Sequence, residues 1–212
     1  MLRGASEGIT VLAQSRPLSN LSLSRNSGRS AARRPPARSN VQALWEFSLA
    51  LYSKEAVARA CLQLQDRRGL DVNLILYCCW RARAGVRIAA PEIARADRST
   101  KRWRRRVIQP LRALRRTLKV DPLAMPATAV ARARRMIAKA ELEAERVAQH
   151  GLVCLELSAD EGAAPAEARL PLERLARANL GLYCRHAGFN PAAADRRALA
   201  IIAAASGSRR PA

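Results

Sequence analysis

From about residue 43 onward, the pattern of apolar and polar positions is that of amphipathic helices. The segment 72–83 is apolar on all sides until Arg81, which is typical of a central, buried helix. We therefore expect an all-α fold, a single helical domain of about six to eight helices. The predicted helices cover residues 43–52, 54–68, 72–83, 91–96, 100–119, 127–150, 171–186 and 191–205.

Residues with special roles at helix ends support these boundaries. Gly69 suits the left-handed position after the second helix, and Asp71 suits the N-cap of the third. Pro91 fits the first turn of a short helix, where its missing N–H has no cost. Either Ser99 or Thr100 is expected to cap a separate, long basic helix.

The two longest predicted helices, 100–119 and 127–150, are joined by a short turn containing Pro126. A turn of this length predicts a long antiparallel helix hairpin. Pro110 is expected to kink the first of the two helices.

On a helical wheel, the first hairpin helix separates into an apolar stripe and a basic side. The apolar stripe comprises Trp103, Val107, Pro110, Leu111, Leu114 and Leu118. The opposite side forms an outward ridge of Lys101, Arg105, Arg112, Arg116 and Lys119. Arg104 and Arg115 lie beside the apolar stripe and are expected to reach inward.

The second hairpin helix divides in the same way. Its predicted apolar side comprises Val130, Ala133, Met136, Ile137, Ala140, Ala144 and Val147. Basic residues that could extend the ridge are Arg132, Arg135 and Lys139. Glu141 and Glu145, near the edge of the apolar side, are expected to pair with Arg104 or Arg115. The predicted structural polar network comprises Asp71, Asn73, Arg104, Arg115, Glu141 and Glu145.

The chain is strongly basic: its 212 residues carry a net charge of +21 and give a pI of about 11.5. Such an excess attracts polyanions, which include nucleic acid, anionic membrane and acidic proteins. An Arg-rich genome that raises the charge without selecting any ligand is the alternative explanation.

Composition divides the chain into a helical domain, 42–206, and two basic tails, 1–41 and 207–212. The first tail is rich in Arg and Ser, which also superficially suits an organellar transit peptide. We expect it to be disordered, or to reflect a start codon assigned too far upstream.

The chemistry-bearing residues match no metal or catalytic pattern. The five cysteines form no Cys-x-x-Cys pair, and the two histidines stand apart. Glu145 is followed three residues later by Ala148, not by the His of a di-iron site. We therefore expect no metal, no cofactor and no catalytic residue. The odd number of cysteines suits a reducing compartment, so we expect a cytoplasmic protein. No stretch approaches the roughly 18–20 apolar residues that a spanning helix needs, so we expect no transmembrane segment.

Five segments resemble, in order and spacing, a family of small proteobacterial proteins known as domain of unknown function 2390. They are LWEFSLALY (44–52), ACLQLQD (60–66), DVNLILYCCW (71–80), VIQPLRALR (107–115) and AELEAER (140–146). The resemblance covers about residues 43–150. It implies a bacterial, cytoplasmic, helical protein and supplies no catalytic residues. It also favours a misassigned start as the explanation of the N-terminal tail.

Three functions remain open at this point. The first is a non-catalytic binding module for a polyanion such as RNA, a ribosomal surface or DNA, acting through the ridge. The second is a regulatory module that docks an acidic protein partner. The third is a small-molecule enzyme, for which the candidates are Asp71, Asn73, Arg115, Glu141 and Glu145. The sequence does not indicate the oligomeric state.

Overall fold

The computed structural model describes residues 40–121, 123–157 and 170–207, and all regular secondary structure within them is helical. The predicted all-α single domain is confirmed. A π-helical turn, Arg104–Ile108, joins two consecutive helices, the fourth and the fifth, without a break. The helices are α1 Asn40–Tyr52, α2 Glu55–Arg68, α3 Val72–Arg83, α4 Ala90–Trp103, α5 Gln109–Val120, α6 Ala127–Leu157, α7 Leu172–His186 and α8 Ala193–Gly207.

Helix α3 is the centre of the core, as its apolar surface predicts. Every residue from Val72 to Cys79 is buried. Helices α1, α6, α7 and α8 all pack against it. Because water is excluded from all sides of the first two turns of α3, the polar residue Asn73 needs partners inside the protein.

Most of the predicted helix ends are confirmed. The Asp71 carboxylate accepts the backbone N–H of Asn73 at 3.0 Å, and Gly69 has a left-handed φ of 67°. Pro91 lies in the first turn of α4. The predicted break at Ser99 or Thr100 is wrong, because both hydroxyls donate to the Ala96 carbonyl inside a continuing helix.

The predicted hairpin is present, with the continuous run of α4, π turn and α5 packed antiparallel to α6. The indole N–H of Trp103 donates to the Ala144 carbonyl at 2.9 Å. Trp103 is nevertheless 36% exposed, so the prediction of a core position for it is wrong. The turn of the hairpin holds Leu123 and Ala124 at positive φ, which few non-glycine residues adopt.

The π turn changes which residues of the first hairpin helix face α6. Its defining hydrogen bond runs from the Gln109 N–H to the Arg104 carbonyl, five residues back. Such a turn adds one residue to the helix just before Pro110, which has no N–H of its own. In a regular α-helix Arg104 and Arg112 would lie about 80° apart, whereas the added residue brings them within about 20°.

Three predicted boundaries move outward because the extra residues pack. Val41 contacts the core, so α1 begins at Asn40. Helix α6 continues past residue 150 because Leu152 and Val153 are fully buried. Gly207 ends α8 against α7, where an added Cβ would lie 3.2 Å from the Glu173 nitrogen. The predictions for residues 1–39 and 208–212 lie outside the described residues.

Asn179 fastens the loop between α3 and α4 to α7. Its side-chain amide donates to the carbonyls of Cys78 and Val86, at 3.2 and 3.0 Å. Its side-chain oxygen accepts the Ile88 N–H at 3.0 Å. Since Asn179 is buried, the two loop groups, the Val86 carbonyl and the Ile88 N–H, depend on this one side chain.

We predict that Asn179→Ala lowers the free energy of unfolding by about 2–3 kcal/mol, because it leaves buried backbone groups unpaired. Urea unfolding followed by circular dichroism measures the change. Arg177→Ala is the control: it removes an exposed pair with Glu173 on the same helix and should cost less than about 1 kcal/mol. Equal effects of the two substitutions would contradict this role for Asn179.

Candidate functional site

Two arginines of α5 pair with two buried glutamates of α6 at the centre of the hairpin. Arg115 Nε donates to Glu141 Oε2 at 2.6 Å. Arg112 bridges both acids, with Nε 3.0 Å from Glu141 Oε1 and Nη2 2.7 Å from Glu145 Oε1. These side chains are buried or largely buried. Loss of one member of such a pair lowers stability more than loss of one member of a surface pair, because the other charge is left buried without a partner.

The network continues into the core through α3. The Asn73 side-chain amide donates to Glu145 Oε2, and its oxygen accepts from Gln149 Nε2 at 3.0 Å. The polar residue of the central helix is therefore satisfied by α6. Both oxygens of Glu145 are engaged, one by Arg112 and one by Asn73.

A second branch lies at the start of α3. Arg104 reaches Asp71 Oδ2 through Nη1 at 2.6 Å and Asp97 Oδ1 through Nη2 at 2.9 Å. The Asp71 N–H donates to the Tyr183 hydroxyl at 2.9 Å, and His186 Nε2 lies 3.3 Å from Asp97 Oδ2. Arg104 thus ties the loop before α3 to α4, beside two residues of α7.

The two glutamates differ in the direction of their pKa shifts. Burial disfavours the charge of Glu141, but hydrogen bonds from Arg115 and Arg112 outweigh it and hold its pKa below the ordinary value. For Glu145 burial is the dominant cause and the charge of Asp71 adds to it, so its pKa rises to about 7 despite the attraction of Arg112.

A cleft of about 340 Å³ opens beside the network. Its walls are the C-terminal end of α2, the loop before α3, and the side of the π turn and α5 that faces them. The side chains that give it its chemical character are Gln65, Asp71, Arg104, Ile108, Arg112 and Arg116. Its volume falls in the range of small-molecule sites.

The predicted role of Arg112 is wrong, and Arg104 belongs to the polar network, as predicted, but with other partners. Arg112, assigned to the outward ridge, is part of the buried network. Arg104, expected to pair with Glu141 or Glu145, pairs with Asp71 and Asp97. A wheel drawn without the added residue places Arg112 incorrectly, whereas the inward position that it gives Arg104 is confirmed. The predicted pairing of Arg115 with Glu141 is present.

The predicted apolar sides also need correction. Leu114 of α5 is 48% exposed, because the π turn rotates the buried face toward Arg112 and Arg115. On α6, Met136 and Val147 are 60% and 51% exposed. Ala133 and Ala140 are exposed as well. The buried face of α6 is centred instead on Glu141 and Glu145, since α5 supplies guanidinium partners for them.

The remaining ridge residues have different surroundings. Lys101 and Arg105 are exposed, whereas Lys119 is half-buried and has a contact of its own. Arg116 is half-exposed, 3.8 Å from Asp66 Oδ1. The basic residues of α6 that were predicted to extend the ridge are also exposed; they are Arg132, Arg135 and Lys139.

A group of exposed cations lies on α4 and the π turn, and wheel analysis of residues 100–119 found only part of it. We call it the basic surface. None of its members has an ion pair or hydrogen-bond partner for its side chain among residues 40–121, 123–157 and 170–207. It comprises Arg95, Arg98, Lys101, Arg102, Arg105 and Arg106. Arg95, Arg98 and Arg102 are three and four residues apart, a spacing that places them on one side of a helix. The predicted helix break at residue 99 concealed this pattern in the sequence.

The described residues contain no group of three or more His, Cys, Asp or Glu side chains arranged to hold a metal ion. In the same part of the chain, no helix is long and apolar enough to cross a membrane.

This arrangement defines an all-α protein with a charged network inside its long hairpin and a basic surface outside it. The sequence profile of the family described as "Protein of unknown function (DUF2390)" matches residues 43–152. The chain belongs to this family, as the resemblance of its segments indicates. The matched region contains Asp71, Asn73, Glu141 and Glu145, whereas Tyr183 lies beyond it. No curated protein and no solved structure matches the chain.

We predict that Arg115→Met lowers the free energy of unfolding by about 3 kcal/mol, because it deprives buried Glu141 of a partner. Arg116→Met, at the next position, removes a half-exposed side chain with one loose contact and should change stability by less than about 1 kcal/mol. Chemical unfolding at pH 7 compares the two variants. Similar losses would show that the Arg115–Glu141 pair is not a principal support of the hairpin.

The raised pKa of Glu145 predicts a specific pH dependence. A carboxyl group that binds its proton more tightly when folded makes the free energy of unfolding decrease as the pH rises from its ordinary pKa of 4.5 to about 7. Glu145→Gln removes this titration. The stability of the variant relative to the parent should therefore increase across that window, by roughly 3 kcal/mol in total.

Unfolding curves at several pH values between 4 and 8 measure this difference. Glu143→Gln is the matched control, because it removes the same charge from the exposed side of α6. A difference between Glu145→Gln and the parent that stays constant with pH would contradict the assignment.

Proposed function

We propose that this protein is a non-catalytic binding module for a polyanion, namely RNA, a ribosomal surface or DNA, through the basic surface. One observation carries the proposal: the exposed cations of α4 and the π turn have no acidic partner among the described residues. Unpaired cations on a rigid helix are free to neutralise phosphates.

The acidic residues of α4 do not pair with these cations, because they already form ion pairs and hydrogen bonds with other residues. Glu92 pairs with Arg81 at 3.0 Å and accepts the Tyr77 hydroxyl at 3.0 Å. Asp97 is held by Arg104 and His186. The fold therefore directs the negative charges of this helix inward and leaves positive charges on its outer side.

The dimensions of the basic surface suit a nucleic-acid backbone. From Arg95 to Arg106 the helix rises about 16 Å, at about 1.5 Å per residue. One strand of a duplex carries a phosphate about every 3.4 Å along its axis but winds around that axis, so a straight helix of this length contacts only some of the phosphates that it spans. Contacts of this kind give affinity and position without reading sequence.

Cytoplasmic location is part of the same proposal. No disulfide joins the five cysteines, all of which lie among the described residues, and four of them, Cys61, Cys78, Cys79 and Cys184, are buried. Free cysteines are typical of a reducing compartment, which is where nucleic acid and ribosomes are found.

Docking of an acidic protein is the second candidate, and the tip of the hairpin favours it. Val120, Leu123 and Met125 are 86%, 55% and 62% exposed there. Exposed cations, Arg132 and Arg135, follow on α6. Apolar side chains next to positive charge suit an acidic partner with an apolar centre.

We predict that simultaneous reversal of Arg98, Arg102 and Arg105 to Glu weakens binding to an RNA oligonucleotide at least about tenfold at 0.1 M salt. Fluorescence anisotropy measures the affinity, and affinity of the parent should fall steeply with salt. Reversal of Arg67, Arg174 and Arg197 is the matched control, since these are exposed cations on α2, α7 and α8.

Equal losses in the two triple variants would indicate only a response to net charge and would contradict a localised surface. A parent protein that binds no RNA or DNA, but retains an acidic protein partner after nuclease treatment, would favour the second candidate instead.

A further inference from the structure

We propose that the cleft between the loop before α3 and the π turn binds the phosphate group of a small organic phosphate. This site is separate from the basic surface, which lies on the outer side of α4 and the π turn. Its defining side chains are the guanidinium groups of Arg104, Arg112 and Arg116, all of which line the cleft.

Three carboxylates line the cleft: those of Asp71 and Glu145 are already hydrogen-bonded within the protein, and that of Asp66 lies 3.8 Å from the Arg116 guanidinium. Asp71 accepts from the Asn73 N–H and from Arg104, and Glu145 accepts from Arg112 and Asn73. A guanidinium has five N–H groups, and the contacts of Arg104 and Arg112 use only part of them. Together with Arg116, the three guanidinium groups carry more N–H donors than their carboxylate partners engage, which favours a ligand rich in acceptors.

Arg116 gives the cleft a donor that can move. Its guanidinium lies 3.8 Å from Asp66 Oδ1, and both side chains are nearly half exposed. A pair of this kind holds its partners weakly. Arg116 can therefore turn toward an oxyanion in the cleft and bind it through two parallel N–H groups, as guanidinium groups do with phosphate.

The rest of the lining includes apolar side chains, which can pack against the carbon atoms of an organic ligand. Leu70, Ile108 and Ala113 contribute apolar surface to the same cleft. Its volume of about 340 Å³ exceeds what an inorganic ion fills. We therefore expect an organic phosphate to bind more tightly than phosphate itself.

The π turn supplies an independent reason to regard the cleft as a site. Arg104 and Ile108, its first and last residues, both line the cleft. Single π turns within α-helices are frequent at functional sites. Here the added residue places Arg104 and Arg112 on the same side of the helix, which brings three guanidinium groups to one cavity.

Isothermal titration calorimetry of the full chain at constant ionic strength tests the proposal with inorganic phosphate, ribose 5-phosphate and adenosine 5′-monophosphate as probes. We expect binding of at least one organic phosphate, tighter than that of inorganic phosphate. Arg116→Met should weaken it about tenfold or more, because a charge-assisted hydrogen bond is lost.

Ala113→Trp is the second variant, and it fills the cleft without changing the charge. It should abolish binding of organic phosphate and leave the RNA affinity of the basic surface unchanged. The variant therefore tests the cleft independently of the proposed RNA-binding function. Ala133→Trp, on the exposed side of α6, is its matched control and should retain phosphate binding.

Three results would overturn the proposal. They are absence of binding for all three probes, equal affinity for inorganic and organic phosphate, and organic phosphate binding that survives both Arg116→Met and Ala113→Trp.

Discussion

The structure depends on the burial of Glu141 and Glu145 in the face of α6 that packs against the rest of the protein. Two carboxyl groups in a helix interface are costly unless they are paired and hydrogen-bonded. Arg112 and Arg115 meet this requirement from α5, and Asn73 meets it from the central helix. The pairing therefore fixes how the two hairpin helices and the core lie against each other.

The π turn helps to satisfy this constraint and is also connected with the charge outside. The added residue lets Arg104 reach Asp71 while Arg112 reaches the glutamates from the same side of the helix. With Asp97 also held by Arg104, the acidic groups near the π turn face inward. The exposed arginines of α4 and the π turn therefore have no acidic partner among the described residues, and the inner arginines line a cleft.

Local sequence signals predicted the fold but only part of the candidate sites. Helical periodicity, the cap at Asp71 and the turn before α6 were sufficient for the all-α hairpin architecture. A hydrophobic wheel could not identify the buried face of α6, because paired charges rather than apolar residues form its centre. It also placed Arg112 on the outside, since the pattern of apolar and basic positions does not reveal the residue that the π turn adds.

The central claim is that the outer side of α4 and the π turn binds a polyanion, and crosslinking tests it most directly. The full chain is crosslinked to an RNA oligonucleotide, and the modified peptides are mapped by mass spectrometry. The account predicts crosslinks concentrated in residues 90–108. Crosslinks confined to residues 1–39, or spread evenly over all basic segments, would contradict it.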